Sequence, residues 1–220
     1  MTDGRRERKH AQTRLALLSA LQAGLAERAY EEISVRELAD AADISEATFY
    51  NHFPSKADLA LYFVQVWSVG VGWHATAADH LGPRAAITAI FDATAADIAR
   101  APRVMGELIA VQARLDGKPA LTPLTALEKR LAFPDYPGVE HQAEIGLDGL
   151  LPPRIVAARA AGELPADVDV DAALLALVSV FFGVPLILAR RAPALIAGAY
   201  RQQLAIVWAG LCASARKDRP

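Results

Sequence analysis

The strongest constraint on the fold lies in residues 34–58, where three signals for a helix start follow one another closely. Ser34 and Glu37 have the spacing of a capping box, in which each side chain satisfies the other residue's backbone N–H. Ser45 is placed to cap a second helix, and Ser55 repeats the pattern after a proline. The segment therefore predicts two short helices joined by a tight turn, followed by a third helix at an angle.

Apolar residues between these caps recur at the spacing of one helix face, which predicts the buried side of each short helix. They are Val35, Leu38, Ala39 and Ala42 in the first helix, and Phe49 and Phe53 in the second. Asp43 ends the first helix, and Ile44 is an apolar residue expected to fill the inside of the turn. A helix-turn-helix of this kind can place its second helix in a DNA major groove.

The outward face of the second helix carries side chains that suit DNA. Asn51 can pair with adenine through two hydrogen bonds, and Ala47 or Thr48 can contact a thymine methyl. Tyr50, His52 and Lys56 offer donors to phosphate oxygens. Each of these three residues, taken singly, is equally well explained as a rim residue or a solvated side chain. Their combination at this spacing favours DNA binding.

Residues 11–65 resemble the DNA-binding domain of TetR/AcrR-family regulators. The matching residues are Thr13-Arg14, Ala29-Tyr30, Ser34 to Ala39, Ala42, Ser45, Thr48 to Tyr50, His52-Phe53 and Ser55-Lys56. The resemblance implies an all-α homodimer, with a three-helix DNA-binding domain at residues 11–58 and its helix-turn-helix at about 34–53. It also implies that residues 59–216 form a larger helical domain that binds a small molecule and dimerises.

The resemblance further implies roles for individual residues. Positions that contact the DNA backbone are Ser34, Arg36, Thr48, Tyr50, His52 and Lys56, and positions that face the bases are Glu46, Ala47 and Asn51. We add Arg14 and Ser45 to this predicted DNA-binding set. The chain departs from the family at Ala29 and Asp43, where the family has glycine at helix ends. Aspartate tolerates the left-handed conformation common there, whereas alanine adopts it at a cost of about 1 kcal/mol.

Charge is unevenly distributed along the chain, although the net formal charge is only −2. Residues 1–14 hold five basic and two acidic side chains, and residues 1–10 are predicted to form a basic, disordered arm. Residues 15–58 hold three basic and eight acidic side chains. A domain this acidic cannot attract DNA by a broad positive field and needs a narrow basic strip together with the arm. The arm by itself is better explained as a solvated, disordered tail than as a phosphate-binding segment.

The remainder of the chain also predicts helices. Alanine and leucine dominate the apolar 53% of the sequence, and no strand-like alternation is visible. The expected helices cover about 11–28, 35–42, 46–53, 55–80, 84–100, 103–115, 124–132, 139–161, 169–190 and 194–216. One cysteine, Cys212, excludes an intramolecular disulfide and fits a reducing compartment. With no signal-peptide pattern, a cytoplasmic protein is expected.

The C-terminal region carries no catalytic motif, so we expect neither an enzyme nor a bound cofactor. His141 and Glu144 are two candidate metal ligands, but a closed site needs three or four, and no metal is expected. Apolar runs interrupted by a few polar residues fit a ligand cavity, but each such residue taken singly fits an ordinary core better, so the cavity is expected mainly from the family resemblance. The predicted ligand-binding residues are Tyr62, Phe63, Val66, Trp67, His74, Phe91, Thr94, Met105, Leu108 and Gln112.

The segment 172–189 is uncharged and just long enough to span a membrane. We favour a helix buried in the core of a homodimer, formed by residues 169–216, with Pro185 expected to kink the helix or end it early. The sequence thus predicts a repressor bound to palindromic double-stranded DNA. A small apolar or amphipathic ligand would release it by tilting the helix that begins near Ser55.

Overall fold

The computed structural model describes residues 4–114 and 123–217, and within these ranges the regular structure is entirely helical. This confirms the predicted fold class. The α-helices are α1 (Arg5–Glu27), α2 (Val35–Ala41), α3 (Glu46–His52), α4 (Lys56–Ala78), α5 (Pro83–Arg100), α6 (Pro102–Arg114), α7 (Ala126–Ala132), α8 (Leu147–Ala160), α9 (Val170–Leu188) and α10 (Ile196–Lys217). Short 3-10 helices cover Tyr30–Glu32, Asp79–Leu81, Val139–His141 and Pro193–Leu195.

The N-terminal arm differs from its prediction, because α1 begins at Arg5 and residues 5–10 form its first turns. The expectation of disorder is wrong for these residues. Arginine, lysine and glutamate are good helix formers, and no glycine or proline interrupts residues 5–23. The same helix buries Leu17, Leu21 and Leu25 completely, which anchors its later turns.

The region predicted as one helix over 139–161 contains a break. Its first part is the 3-10 helix Val139–His141, and α8 begins only at Leu147. The carboxylate of Glu144 lies 3.1 Å from the Lys129 ammonium and accepts a hydrogen bond from the Leu124 backbone N–H. These contacts hold Glu144 outside a helix, and Gly146 is extended as the N-cap of α8. The periodicity of the sequence does not reveal this long-range pairing.

The chain divides into two compact units. Unit 1 comprises Met1–Gly70 and Arg103–Glu144, and unit 2 comprises Val71–Pro102 and Ile145–Pro220. The division falls inside α4 after Gly70, whereas the sequence placed the domain boundary nearer the start of the same helix, after residue 58. Residues 103–144 group with the helix-turn-helix, because α7 packs against α1 and α6 bonds to the connection between α1 and α2.

Unit 2 is built around the packing of α5, α8, α9 and α10. Its aromatic centre joins three fully buried rings from three helices: Phe91 meets Phe181 and Tyr200 edge-on, with ring centroids 5.5 and 5.1 Å apart. Such edge-to-face pairs add stability beyond the area that they bury.

Helix α9 buries only one stripe within its own chain. Ala173, Leu177, Phe181 and Pro185 recur every four residues along that stripe. Other apolar side chains of α9 are exposed, with Leu175, Leu186 and Ile187 accessible to between 61% and 68%. By length and composition alone α9 could cross a membrane, but a core helix passes the same test. Pro185 lies within the helix, which continues to Leu188.

Candidate nucleic-acid interface

Helix α2 starts at the predicted capping box. The Ser34 hydroxyl accepts a hydrogen bond from the Glu37 N–H at 3.2 Å, and the Glu37 carboxylate accepts one from the Ser34 N–H at 2.8 Å. The backbone bond from Ser34, followed by the bond from the Arg28 guanidinium, lowers the pKa of Glu37 to about 2. Arg28 lies 2.9 Å from Glu37 and so connects the end of α1 to the start of α2.

The turn between α2 and α3 is closed by Asp43, whose φ of 54° is left-handed. The next residue, Ile44, donates its backbone N–H to the Ala39 carbonyl at 3.0 Å. Aspartate thus fills the conformation for which the family has glycine. The other departure, Ala29, is extended with φ −68° and ψ 151°, so the strain expected at that position is absent.

Helix α3 presents the predicted outward face. The Ser45 hydroxyl caps it by accepting a hydrogen bond from the Thr48 N–H, and Phe49 is fully buried on the inner side. The exposed residues are Ser45, Glu46, Ala47, Tyr50 and Asn51, while Thr48 and His52 are half-buried. The helix therefore offers an amide, a phenol and small side chains along one accessible face.

Two residues predicted to contact the DNA backbone lie at the start of α2, Ser34 as its N-cap and Arg36 in its first turn. Ser34 and Arg36 are both exposed. The Ser34 hydroxyl donates to Glu37 at 2.8 Å, so it serves the cap of its own helix. Arg36 lies 3.8 Å from Asp40 in a pair that is open to solvent, and such exposed pairs contribute little energy.

Arg14 does not occupy the position predicted for it. Its side chain is buried, lies 3.0 Å from the buried Glu128 carboxylate, and covers the Tyr62 ring at 4.2 Å. The same guanidinium also lies 5.0 Å from the centroid of the Phe53 ring. A cation enclosed in this way is not accessible to phosphate, so the assignment of Arg14 to DNA binding is wrong. Its sequence position gave no sign of the partner, which lies on α7.

Lys56 also differs from its prediction. Its ammonium donates to the backbone carbonyls of Tyr30 and Ile33, both at 2.7 Å, and lies 4.1 Å above the Tyr30 ring. Burial lowers the pKa of Lys56, and the nearby Glu31 and Glu37 oppose that effect. Lys56 therefore ties the start of α4 to the connection that precedes α2, instead of presenting its ammonium to a phosphate.

His52 ends α3 and contacts α1. Its ring lies 4.5 Å from the ring of His10, centroid to centroid, and its buried Nδ1 has no hydrogen-bond partner among the described residues. Burial lowers the pKa of His52, with further lowering by His10 and Arg14 and an opposing effect of Glu128. The sequence analysis did not identify His10, because its contact with α3 depends on the helical start of α1.

The predicted ligand-binding residues fall in both units. In unit 1, Tyr62, Phe63, Val66, Met105 and Leu108 are buried and Trp67 is half-buried. The Tyr62 hydroxyl donates to Glu128 at 3.2 Å, so this polar group has a partner inside the protein. Gln112 is exposed, and its amide lies 3.5 Å from the Leu108 carbonyl one turn earlier. That is not the position expected of a residue lining an apolar cavity.

In unit 2, the predicted ligand-binding residues are Phe91, Thr94 and His74. Phe91 and Thr94 are fully buried, and the Thr94 hydroxyl donates to the Ile90 carbonyl of its own helix at 2.8 Å. His74 is half-buried, and burial lowers its pKa, with Asp97 acting in the opposite direction. Phe91 belongs to the aromatic centre of the unit. Of the three, His74 is the one with a titratable group at the edge of the core.

Comparison with known proteins identifies the N-terminal domain. Residues 17–63 match the family described as bacterial regulatory proteins, tetR family. No curated protein matches the chain in sequence.

Solved structures share the fold over most of the chain. A protein studied for the control of antibiotic production by bacterial hormones is 24% identical, with a TM-score of 0.62 over 90% of this chain and 97% of the other. A ketosteroid transcriptional regulator of Mycobacterium tuberculosis is 19% identical, with a TM-score of 0.57 over 90% and 94%. A fatty acid degradation regulator from Bacillus halodurans is 16% identical, with a TM-score of 0.56 over 86% and 96%.

Proposed function

Since the chain is a transcriptional regulator with the DNA-binding domain of the tetR family, we propose that it is a cytoplasmic, homodimeric repressor. It binds a palindromic duplex and leaves it when a small apolar or amphipathic molecule binds. The observation that carries the proposal is the accessible face of α3, which holds Tyr50 and Asn51. Ser45 caps the start of this helix, and Ser55 caps the start of the helix that follows.

Base reading is assigned to the exposed face of α3. Asn51 can pair with adenine, and Ala47 can contact a thymine methyl, whereas Glu46 can accept from a cytosine amino group. All three side chains are exposed. Phe49 and Phe53 hold the opposite side of the helix in the core. The helix can therefore enter a groove as a rigid element.

The dimer is assigned to α9 and α10. Exposed leucine and isoleucine side chains on α9, together with Ile206 on α10, leave an apolar surface that a second copy would cover. A two-fold dimer carries two copies of α3, which suits half-sites about 34–36 Å apart. This arrangement is the reason for proposing a palindromic site.

Release by a ligand is assigned to α4, which begins beside the helix-turn-helix and runs from unit 1 into unit 2. A ligand that binds the free form more tightly than the DNA-bound form would shift α4 and lower DNA affinity. The coupling free energy is typically about 1–3 kcal/mol and must act in both directions. Ketosteroids and fatty acids, which figure in the roles of two fold neighbours, are molecules of the proposed class.

The DNA proposal is tested by selecting bound sequences from a random duplex pool with the purified protein. A palindromic consensus supports it, and a preference for single strands or for one asymmetric half-site would reject it. Asn51→Ala should relax the preference at one base position per half-site and cost about 1–3 kcal/mol there.

The ligand proposal is tested by tryptophan emission. A ketosteroid and a long-chain fatty acid are titrated into the protein with and without the selected duplex. Weaker binding in the presence of DNA supports a ligand-relieved repressor. Equal affinities with and without DNA would show that the molecule does not operate a switch.

A further inference from the structure

In the described part of unit 1, basic side chains without a partner occur only in the first two turns of α1. Outside the first two turns of α1, each basic side chain of this unit has an acidic or carbonyl partner. The pairs are Arg14–Glu128, Arg28–Glu37, Arg36–Asp40, Arg103–Glu107, Arg114–Glu31, Lys129–Glu144 and Arg130–Glu140, and Lys56 donates to two carbonyls. The exceptions are Arg5, Arg6, Arg8 and Lys9, which are exposed and pair with none of the described residues.

These four cations lie beside the end of the recognition helix. His10 follows them directly on α1, and its ring packs against His52, the last residue of α3, at 4.5 Å. A helix advances by about 100° per residue, so Arg6 shares a face with His10 one turn away, whereas Arg8 points to the opposite side. Arg6 therefore projects toward the side of α1 that meets α3.

The rest of the DNA-binding segment makes this position important. Residues 15–58 hold eight acidic against three basic side chains. Lys56, one of the three, is engaged inside the protein, as is Arg14 just before this segment. Phosphate contacts supply most of the sequence-independent affinity of a DNA-binding protein, and they need accessible cations. Arginine suits the task because its planar donor fork matches a phosphate.

We propose that the first two turns of α1 form a helical phosphate clamp, in which Arg6 contacts the DNA backbone next to His52. Lys9, about 60° from Arg6 and about 100° from His10 around the helix axis, adds a second cation beside Arg6. The inference rests on the proposed DNA-binding function and adds to it the site that neutralises phosphate. The packing of His10 on His52 fixes the clamp to the recognition helix, so it acts in register with base reading.

The test compares single substitutions on opposite faces of the same helix. Affinity for the selected duplex is measured across salt concentrations for the wild type, Arg6→Gln and Arg8→Gln. Arg6→Gln should weaken binding several-fold and lower the slope of log affinity against log salt by about 0.9, the value for one phosphate contact. Arg8→Gln should leave the slope at the wild-type value. Circular dichroism checks that helix content is equal in all three proteins.

A matched control removes charge elsewhere. Arg190 and Arg191 are exposed in unit 2, and the double substitution to Gln should leave the salt slope unchanged. Equal losses for Arg6→Gln and Arg8→Gln would overturn the clamp in favour of a diffuse charge effect. No loss in either variant would show that Arg6 does not contact phosphate and would also overturn the clamp. If Arg6→Gln changes the salt slope but leaves the base preference intact, the role of Arg6 is distinct from base reading by α3. A wild-type protein that binds no duplex would overturn both proposals.

Discussion

The Tyr200 hydroxyl donates a 2.7 Å hydrogen bond to the backbone carbonyl of Phe181, four residues before Pro185. Proline has no N–H with which to complete the helical bond to that carbonyl. The phenol of α10 supplies the bond instead, within the buried aromatic centre of unit 2. Burial accordingly raises the pKa of Tyr200. This bond explains how α9 passes through Pro185 without ending there.

Removing this phenol should destabilise unit 2. Tyr200→Phe keeps the ring but loses the bond to a buried carbonyl, which costs about 1–3 kcal/mol of unfolding free energy. In a Pro185→Ala background the new backbone N–H can bond to Phe181, so the cost of Tyr200→Phe should shrink. Urea denaturation of the four proteins in this double-mutant cycle measures the coupling. Simple additivity of the two substitutions would contradict the account.

The buried ion pair between Arg14 and Glu128 should be sensitive to removal of one partner. Arg14→Ala leaves the carboxylate of Glu128 buried without its cation, at a cost of about 3–5 kcal/mol. The double variant Arg14→Met with Glu128→Gln has no uncompensated charge and should be less destabilised than Arg14→Ala. Denaturant unfolding measures both. A loss below about 1 kcal/mol for Arg14→Ala, the range of an exposed pair, would be inconsistent with burial.

Lys56 should act on stability, not on the salt dependence of DNA binding. Lys56→Ala removes two charge-assisted bonds to the carbonyls of Tyr30 and Ile33 and should cost about 1–3 kcal/mol. The salt slope of DNA affinity should stay at the wild-type value. If instead the slope falls by about one unit at unchanged stability, Lys56 contacts phosphate as the sequence predicted.

The proposed dimer predicts that exposed residues of α9 matter for assembly. Leu175→Glu should give monomers, because it places a charge on the apolar surface offered to the second copy. Leu81→Glu is the matched control, since Leu81 and Leu175 are both 68% exposed but only Leu175 lies on α9. Light scattering after size-exclusion chromatography measures the molar mass of each variant. If Leu175→Glu remains a dimer, the dimer interface lies elsewhere on the protein. Leu177, fully buried in its own chain, is unsuitable because its substitution would disturb folding.

Acidification should lower stability through His52. Burial lowers the pKa of this residue below its ordinary value of 6.5, so the unfolded chain takes up a proton before the folded one does. The free energy of unfolding is therefore fully retained above pH 6.5 and falls as the pH drops through the folded pKa. Half-buried His74 has a pKa shift of the same direction and contributes in the same sense.

Urea titrations at pH 7.5 and 5.5 test this expectation. His52→Gln should reduce the difference in unfolding free energy between the two pH values, because one titrating group is lost. His141→Gln, which changes an exposed histidine, serves as the control. An unchanged difference for His52→Gln would locate the acid sensitivity in other groups.

The sequence by itself determined the local structure of the DNA-binding segment. The capping pairs at Ser34, Ser45 and Ser55, the left-handed Asp43 and the inward Phe49 all occur as predicted, since each depends on contacts within a few residues. The exposed face of α3 follows from the same helical spacing. The all-helical class is set in the same way, by composition and periodicity.

Only the tertiary structure decided which charges are available to a ligand. The sequence assigned Arg14 and Lys56 to DNA contacts. In the structure their partners lie 114 and 26 residues away along the chain, and these partners keep both cations from reaching DNA. The hydrogen bond from the Tyr200 hydroxyl to the Phe181 carbonyl likewise joins α9 and α10, which are separate segments of the sequence. A side chain's partner across the fold is set by the packing of whole helices, and the spacing of residues along one helix contains no information about it.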